Sequence, residues 1–404
     1  MKKILIVSQY FWPENFKIND LVFKLKDKYN FTILTGKPNY PEGKIYSNFK
    51  SNEIKFNKYY NAKIHRIFTI ARGKSKTKLA INYINFILSA SIYSLIYLRK
   101  KKFDLIFICG FSPIFSAIPG IILKKINKSP IILWVLDLWP DTLMAMSNLR
   151  SKVLIKILNL SVNRIYKNCD LILAQSKGMV KKISTRIGEK KKIIYFPTWS
   201  EDIFKKKKSI KSKYKKEKGF LTILFAGNLG EAQDIELIFK CALNLIKQNK
   251  KIKWIFVGQG RKFIWLKNEI KKNDVNFFFH LVGKKPLNMM PQIYNMADIF
   301  LVSLKNEKVF KETVPGKMQS YMMYGKPILG LVGGDSKNLI LDTKCGFVAK
   351  PGSYKNFIYI LNKIIVMKKT ILNKMGQNGK KFALKNFDSN ISMLKLESHF
   401  KNLL

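Results

Sequence analysis

Cysteine, histidine and arginine are all scarce in this chain of 404 residues, and each shortage removes a class of function. The four cysteines, Cys109, Cys169, Cys241 and Cys345, are far apart and unpaired in pattern, so neither a disulfide framework nor a thiolate zinc site is expected. Three histidines, His65, His280 and His399, form no HExxH-like cluster. Only seven of the 75 basic residues are arginine, so 68 are lysine, against 25 acids and a formal net charge of +50. Base-edge readers depend on the planar arginine fork, and a lysine excess offers little of it, so no nucleic-acid partner is expected. The charge suits an anionic membrane surface, or reflects a lysine-rich composition with no partner attached. No cleavable leader is expected either, since Lys2-Lys3 runs straight into Ile4-Leu5-Ile6-Val7, and a cytoplasmic location is expected.

What the chain has is repeated short apolar runs. Ile4–Val7, Phe31–Leu34, Leu105–Ile108, Ile131–Leu136 and Leu171–Ala174 are separated by helical stretches, and the theme restarts at Leu221–Phe225, Trp254–Val257, Ile299–Val302 and Ile328–Leu331. Continuous apolar runs of this length read as parallel strands buried on both faces, so two doubly wound α/β domains are expected. Residues 200–219, which include Lys205-Lys206-Lys207-Lys208 and few apolar side chains, read as a solvated linker. Leu79–Leu98 is nearly all apolar apart from Asn82, Asn85 and scattered Ser and Tyr, with Lys74, Lys76, Lys78 and Arg99-Lys100-Lys101-Lys102 at its flanks. Its length approaches a bilayer span, but the two asparagines favour an interfacial helix on an anionic membrane surface; a buried core helix is the alternative.

The run from Phe310 to Leu329 carries the most chemistry. Pro315-Gly316 opens a helix with Met318, Tyr321 and Met322 at helical spacing, and Gly325 ends it ahead of the Ile328 strand. Lys317 falls in the first turn, where a positive charge opposes the helix dipole. Open backbone N–H groups plus that ammonium predict an anion site.

These residues resemble the donor motif of the retaining glycosyltransferases of family four, which have the GT-B fold, and most closely the WbuB-type N-acetyl-L-fucosamine transferases of O-antigen and capsule synthesis. Supporting blocks run in family order: Ser8–Asn15, Gly36–Gly43, Asp137–Asp141, Phe225–Asp234, Val257–Arg261, Pro291–Asp298 and the stretch around Lys317. The resemblance implies two Rossmann-like domains facing a central cleft: residues 1–199 on the acceptor side, 200–219 as linker, 220–375 binding the nucleotide-sugar, and 376–404 as helices crossing back. It implies a UDP-sugar donor and an undecaprenyl-diphosphate-linked acceptor. A fucosyl or GlcNAc transferase of the same fold and a GT-B sugar-nucleotide 2-epimerase are the alternatives, and a polyanion-binding protein is the non-enzymatic rival.

Site residues follow from the same comparison. Asp137 stands where many relatives have a histidine beside the reacting sugar, and a carboxylate there would orient the acceptor, take its proton or balance oxocarbenium charge. Glu312 would meet the donor sugar. Ser320 replaces a second glutamate that meets the ribose. Gly227 and Asn228 lie where relatives carry an Arg and a Lys for the diphosphate, which leaves Arg261 and Lys317 to supply the charge, with Pro315 and Gly316 at the helix start. Glu14 and Asn15 follow the first strand as donor contacts. Asn39 and Tyr40 belong to a Pro-locked loop that either contacts the acceptor or is a structural turn, and Asp141 is an acceptor contact or a helix cap. No Asp-x-Asp pair follows a strand, so metal-independent transfer without a cofactor is expected.

Overall fold

The computed structural model describes residues 1–147, 151–188, 192–205 and 216–404. The chain forms two compact units, Met1–Pro197 with Met393–Leu404, and Thr198–Ser392.

The first unit is built on an eight-stranded sheet: β1 (Lys3–Val7), β2 (Asn30–Thr35), β3 (Lys58–Tyr59), β4 (Ala62–Arg66), β5 (Leu105–Gly110), β6 (Ile131–Val135), β7 (Leu171–Ala174) and β8 (Lys192–Tyr195). Their order is β3-β4-β2-β1-β5-β6-β7-β8, with every pairing parallel except β3 with β4. Ile4–Val7, Leu105–Cys109 and Ile131–Val135 are fully buried, which is why these strands read as unbroken apolar runs rather than alternating ones. The strand order reverses between β1 and β5, the switch point at which such sheets open a crevice beyond the strands' carboxyl ends. The return of the chain is shorter than expected from sequence. Phe400 packs its ring 5.5 Å from Tyr29 and 5.7 Å from Phe107, and Glu397 pairs with Lys28 at 2.6 Å.

The second unit holds β9 (Leu221–Ala226), β10 (Ile252–Val257), β11 (Phe279–Gly283), β12 (Ile299–Ser303), β13 (Ile328–Leu331) and β14 (Gly346–Ala349), all parallel in the order β11-β10-β9-β12-β13-β14. Alternate residues enter two cores, Leu224, Ile255 and Phe300 on one face and Ile223, Trp254 and Leu301 on the other. The Lys369–Asn386 helix belongs here, not to a crossing segment beginning at 376: a Cβ at Gly376 would lie 2.4 Å from the Gly325 carbonyl oxygen, so this helix rides directly on the end of Gly316–Tyr324. The described part of the expected linker is also packed. Trp199, Ser200 and Phe204 are buried, Phe204 stacks on Tyr294 at 4.9 Å, and Lys205 pairs with Asp388 at 2.8 Å. Residues 206–215, with Lys206, Lys207 and Lys208, lie outside the described residues.

Leu79–Leu98 falls within an α-helix from Lys76 to Tyr93 that continues as a π turn over Ser94–Leu98. Unlike a core helix, it buries an asparagine and exposes much of its apolar surface. Asn82 is buried, accepting from Gln9 Nε2 at 2.9 Å and donating to the Ile70 carbonyl at 2.6 Å, and Asn85 accepts from the Ile70 N–H at 2.8 Å. Ile81, Ile84, Leu88, Ile92, Leu95 and Ile96 are exposed. The asparagines that break the apolar run fasten the helix to its own unit together with the buried Phe86, Ala90 and Leu98, and those six apolar residues face outward.

Candidate functional site

In the second unit the site forms where β9, β10 and β12 end. After β9 the chain turns at Gly227 (φ +133) and packs backbone to backbone against the turn after β10: a Cβ at Gly258 (φ +130) would lie 1.9 Å from the Gly227 carbonyl oxygen, and one at Gly260 2.3 Å from that of Leu229. Gly227 N–H donates to the Val257 carbonyl and Leu229 N–H to that of Gln259, both at 2.9 Å. The Gly258-Gln259-Gly260 pattern is therefore explained by two loops in close approach.

Under this turn lies Lys317. It stands in the first turn of the Gly316–Tyr324 helix, whose start at Pro315 has no side-chain cap and whose end is Gly325 in the left-handed region (φ +81). The ammonium sits 3.7 Å from the centroid of the Phe225 ring, and a Cβ on Gly227 would stand 3.0 Å from Nζ. Among the described residues it makes no hydrogen bond or ion pair. Burial without a counter-ion pushes its pKa down to about 7, while partial exposure of the residue leaves it open to a ligand. Any side chain larger than glycine at 227 would crowd this approach.

The other donor-side residues are placed as follows. Glu312 is half-buried in the loop ahead of Pro315. Asn228 and Arg261 are exposed on the two loops, and Arg261 is not drawn toward any described carboxylate; its neighbour Lys262 is the residue that pairs, with Glu236 and Glu231. Ser320, expected as a ribose contact, is already hydrogen-bonded within its own unit. It is buried and its hydroxyl donates to Glu201 Oε2 at 2.6 Å. Glu201 thus brings a carboxylate to the position where sequence comparison finds one missing, from a segment whose composition reads as linker.

In the first unit Asp137 follows β6, beside the switch point. Ser112, just after β5, links it to the aromatic wall: Trp139 Nε1 donates to Ser112 Oγ at 2.9 Å, and that hydroxyl donates to Asp137 Oδ2 at 2.9 Å. Burial raises the Asp137 carboxyl above the usual carboxylate range, against the lowering effect of the Ser112 bonds. Tyr83, from the Lys76–Tyr93 helix, is close enough for the charges of Arg72 and Asp137 to act on its hydroxyl, which burial raises. Tyr40 lies in the same group, its ring 5.5 Å from Tyr10 and 5.2 Å from Phe16, with the Arg72 guanidinium 4.8 Å from its centroid.

Three residues expected to touch substrate are instead occupied by the protein. Glu14 is buried, and its Oε1 accepts from the N–H groups of Asn39 at 2.8 Å and Tyr40 at 2.6 Å, so it braces the loop rather than the donor. Burial lifts its pKa to about 7 despite those bonds. Asn39 is also buried, donating to the Lys37 carbonyl at 2.8 Å and accepting from the Arg72 N–H at 3.1 Å, so the structural-turn alternative describes it. Asp141 sits in the first turn of Asp141–Met146 and is ion-paired with Lys182 at 2.6 Å and Arg186 at 2.5 Å. Asn15 is exposed in the loop after β1.

A cavity of about 860 Å³ is elsewhere, on the β3–β4 edge beside Ile54, His65, Arg66 and Tyr93, and holds none of the expected site residues. Strand ends at a switch point are the stronger indicator of chemistry in sheets of this kind. Among the described residues no group of three or more His, Cys, Asp or Glu is placed to hold a metal ion.

Residues 206–382 match the family model of the glycosyl transferases group 1. No curated protein sequence matches the chain. Sucrose-phosphate synthase from Thermosynechococcus elongatus superposes with a TM-score of 0.74 at 12% identity, covering 100% of this chain and 99% of its own. An E. coli trehalose-6-phosphate protein bound with UDP-2-fluoro glucose gives 0.72 at 11% identity, covering 100% of both chains. Anabaena HepE in complex with UDP and glucose gives 0.66 at 15%, covering 99% of this chain and 100% of its own. At these identities the likeness is one of fold, the GT-B fold, and the group 1 match falls within the second unit.

Proposed function

We propose, from a half-buried lysine that has no counter-ion among the described residues at the second sheet's switch point and from the group 1 match over residues 206–382, that the chain is a metal-independent, UDP-sugar-dependent retaining glycosyltransferase. Lys317 is the observation that carries this reading. A half-buried ammonium with no anion costs stability, and it is accounted for by a ligand that brings the missing charge. The diphosphate of a UDP-sugar does so, with the open N–H groups at Gly316 and Lys317 as further donors. Charge leaving with UDP is then met by Lys317 and the helix start. Glu312 faces the sugar, and Glu201 with Ser320 offers a carboxylate and hydroxyl for sugar or ribose hydroxyls.

On the acceptor side, Asp137 has the half-buried setting and raised pKa suited to accepting the acceptor hydroxyl's proton. The finer assignment is N-acetyl-L-fucosamine, or a related deoxyaminosugar, passed to an undecaprenyl-diphosphate-linked sugar in O-antigen or capsule synthesis; the motif resemblance supports it. Peripheral attachment to the cytoplasmic face of the membrane is supported by the outward apolar face of the Lys76–Tyr93 helix and by a second exposed set on the Lys152–Asn168 helix, Val153, Leu154, Ile157 and Leu160. The helix Ile118–Asn127 packs against both.

The test is a panel of UDP- and GDP-sugars incubated with the protein and a lipid-diphosphate-linked acceptor, reading which nucleoside diphosphate is released. UDP release from a deoxyaminosugar donor is expected; release of GDP alone would sink the reading.

A further inference from the structure

The two arginines at and just beyond the end of β4 are used in opposite ways. Arg66 is consumed by the backbone: its guanidinium donates to the carbonyls of Gly36 at 3.1 Å, Phe56 at 3.0 Å and Trp12 at 2.5 Å. Arg72 has its main chain fixed and its side chain free. Its N–H donates to Asn39 Oδ1 at 3.1 Å, and the N–H of the next residue, Gly73, donates to the Gly43 carbonyl at 3.0 Å. The guanidinium lies 4.8 Å from the Tyr40 ring centroid and makes no hydrogen bond or ion pair among the described residues. Five donors are thus held over an aromatic face with nothing to donate to, an arrangement suited to bidentate recognition of an oxyanion.

Its surroundings narrow the oxyanion. Tyr83, on which the charges of Arg72 and Asp137 both act, belongs to the same helix that presents Ile81, Ile84 and Leu88 to the exterior. A cation that acts on the same tyrosine hydroxyl as Asp137 and stands beside a helix with exposed apolar residues matches a molecule whose charge joins a polar group to an apolar chain. We propose that Arg72 binds a phosphate or diphosphate group of a lipid-linked acceptor, holding it beside Asp137. The assignment rests on the transferase reading above. Tyr40 keeps the guanidinium flat and accessible, and Asn39 fixes the backbone from which it projects.

The test uses the full chain with UDP at saturation, so that Lys317 is occupied, and titrates inorganic pyrophosphate, farnesyl diphosphate and farnesol by calorimetry. Both diphosphates are expected to bind, farnesyl diphosphate more tightly, and farnesol weakly. Arg72→Gln should weaken both diphosphates by about tenfold or more and leave the UDP affinity unchanged, with Arg72→Lys intermediate, since it keeps the charge but loses the fork. Unchanged diphosphate binding in Arg72→Gln overturns the proposal. So does a loss produced instead by joint Lys74→Gln, Lys76→Gln and Lys78→Gln, which would place the anion on the helix flank. Equal affinities for pyrophosphate and farnesyl diphosphate would remove the lipid-linked source. If UDP itself fails to bind, the transferase reading falls, and the same titrations on Lys317→Met without UDP decide the Arg72 site separately.

Discussion

The Lys317 ammonium lies 3.7 Å from the centre of the Phe225 ring, beneath a glycine turn where even a Cβ would stand only 3.0 Å from it. The ring's negative face partly replaces the water that burial removes, yet an aromatic face is a weak substitute for an anion. The arrangement holds a charge ready at a cost to the empty protein.

That cost predicts opposite effects on binding and stability. Lys317→Met should abolish measurable UDP binding, or weaken it by about 10- to 150-fold, the worth of a charge-assisted contact of about 1.5–3 kcal/mol. The same change should raise the melting temperature of the ligand-free protein, since it replaces a half-buried charge with an apolar side chain of similar length. Calorimetry and thermal melts on one preparation check both; a variant that loses UDP and stability together would point to a purely structural lysine.

A pH dependence follows from the same residue. Its pKa of about 7 is below the ordinary 10.5, and a bound diphosphate favours the charged form. Below pH 7 the site is already protonated. Above it, binding must take up a proton, so the UDP dissociation constant should rise by up to about tenfold per unit between pH 7 and 9. Titrations in two buffers of different ionisation enthalpy would read the proton directly, and Lys317→Met should show none attributable to this site.

Asp137 is expected to govern turnover more than donor affinity. Asp137→Asn should lower kcat by about 10²-fold or more with UDP binding intact. Ser112→Ala is the finer probe. The Ser112 bonds lower a carboxyl that burial raises, so removing the hydroxyl should lift the Asp137 pKa and move the acid limb of the kcat profile to higher pH. An unmoved profile in Ser112→Ala would remove Asp137 from proton transfer.

Glu14 carries a stability signature. Its folded pKa of about 7 exceeds the ordinary 4.5, so the folded chain holds an extra proton across that window, and this contribution is lost as pH rises from 4.5 through 7. Glu14→Gln can still accept from Asn39 and Tyr40 and should not lose it, gaining relative to the natural chain between pH 5 and 8. Glu14→Ala strands the two N–H groups and should cost about 1–3 kcal/mol at either pH. Urea midpoints at the two pH values compare the three proteins; a Gln variant that tracks the natural chain would show that Glu14 titrates normally.

The sequence by itself determined the strands buried on both faces, because continuous apolar runs such as Ile131–Val135 admit little else, and it determined the Gly316–Tyr324 helix with Lys317 in its first turn, because glycine punctuation and helical spacing are local signals. The edge strands β3, β8, β11 and β14, and β4 next to the edge, were not legible: half-exposed, short runs such as Lys192–Tyr195 carry no apolar continuity. Only the tertiary structure decided which polar groups are spent on the protein itself. Glu14, Asn39 and Asp141 look like site residues from their place after strands, but their partners lie 25 to 45 positions away or are main-chain groups that no motif reveals. The same holds in reverse for Glu201 and Arg72. One reaches Ser320 across 119 residues, and the other's guanidinium lies over Tyr40 with no hydrogen bond among the described residues; both facts depend on long-range packing that spacing along a chain does not encode. Local order is written in neighbouring residues, whereas the availability of a charge is settled by what the fold brings beside it.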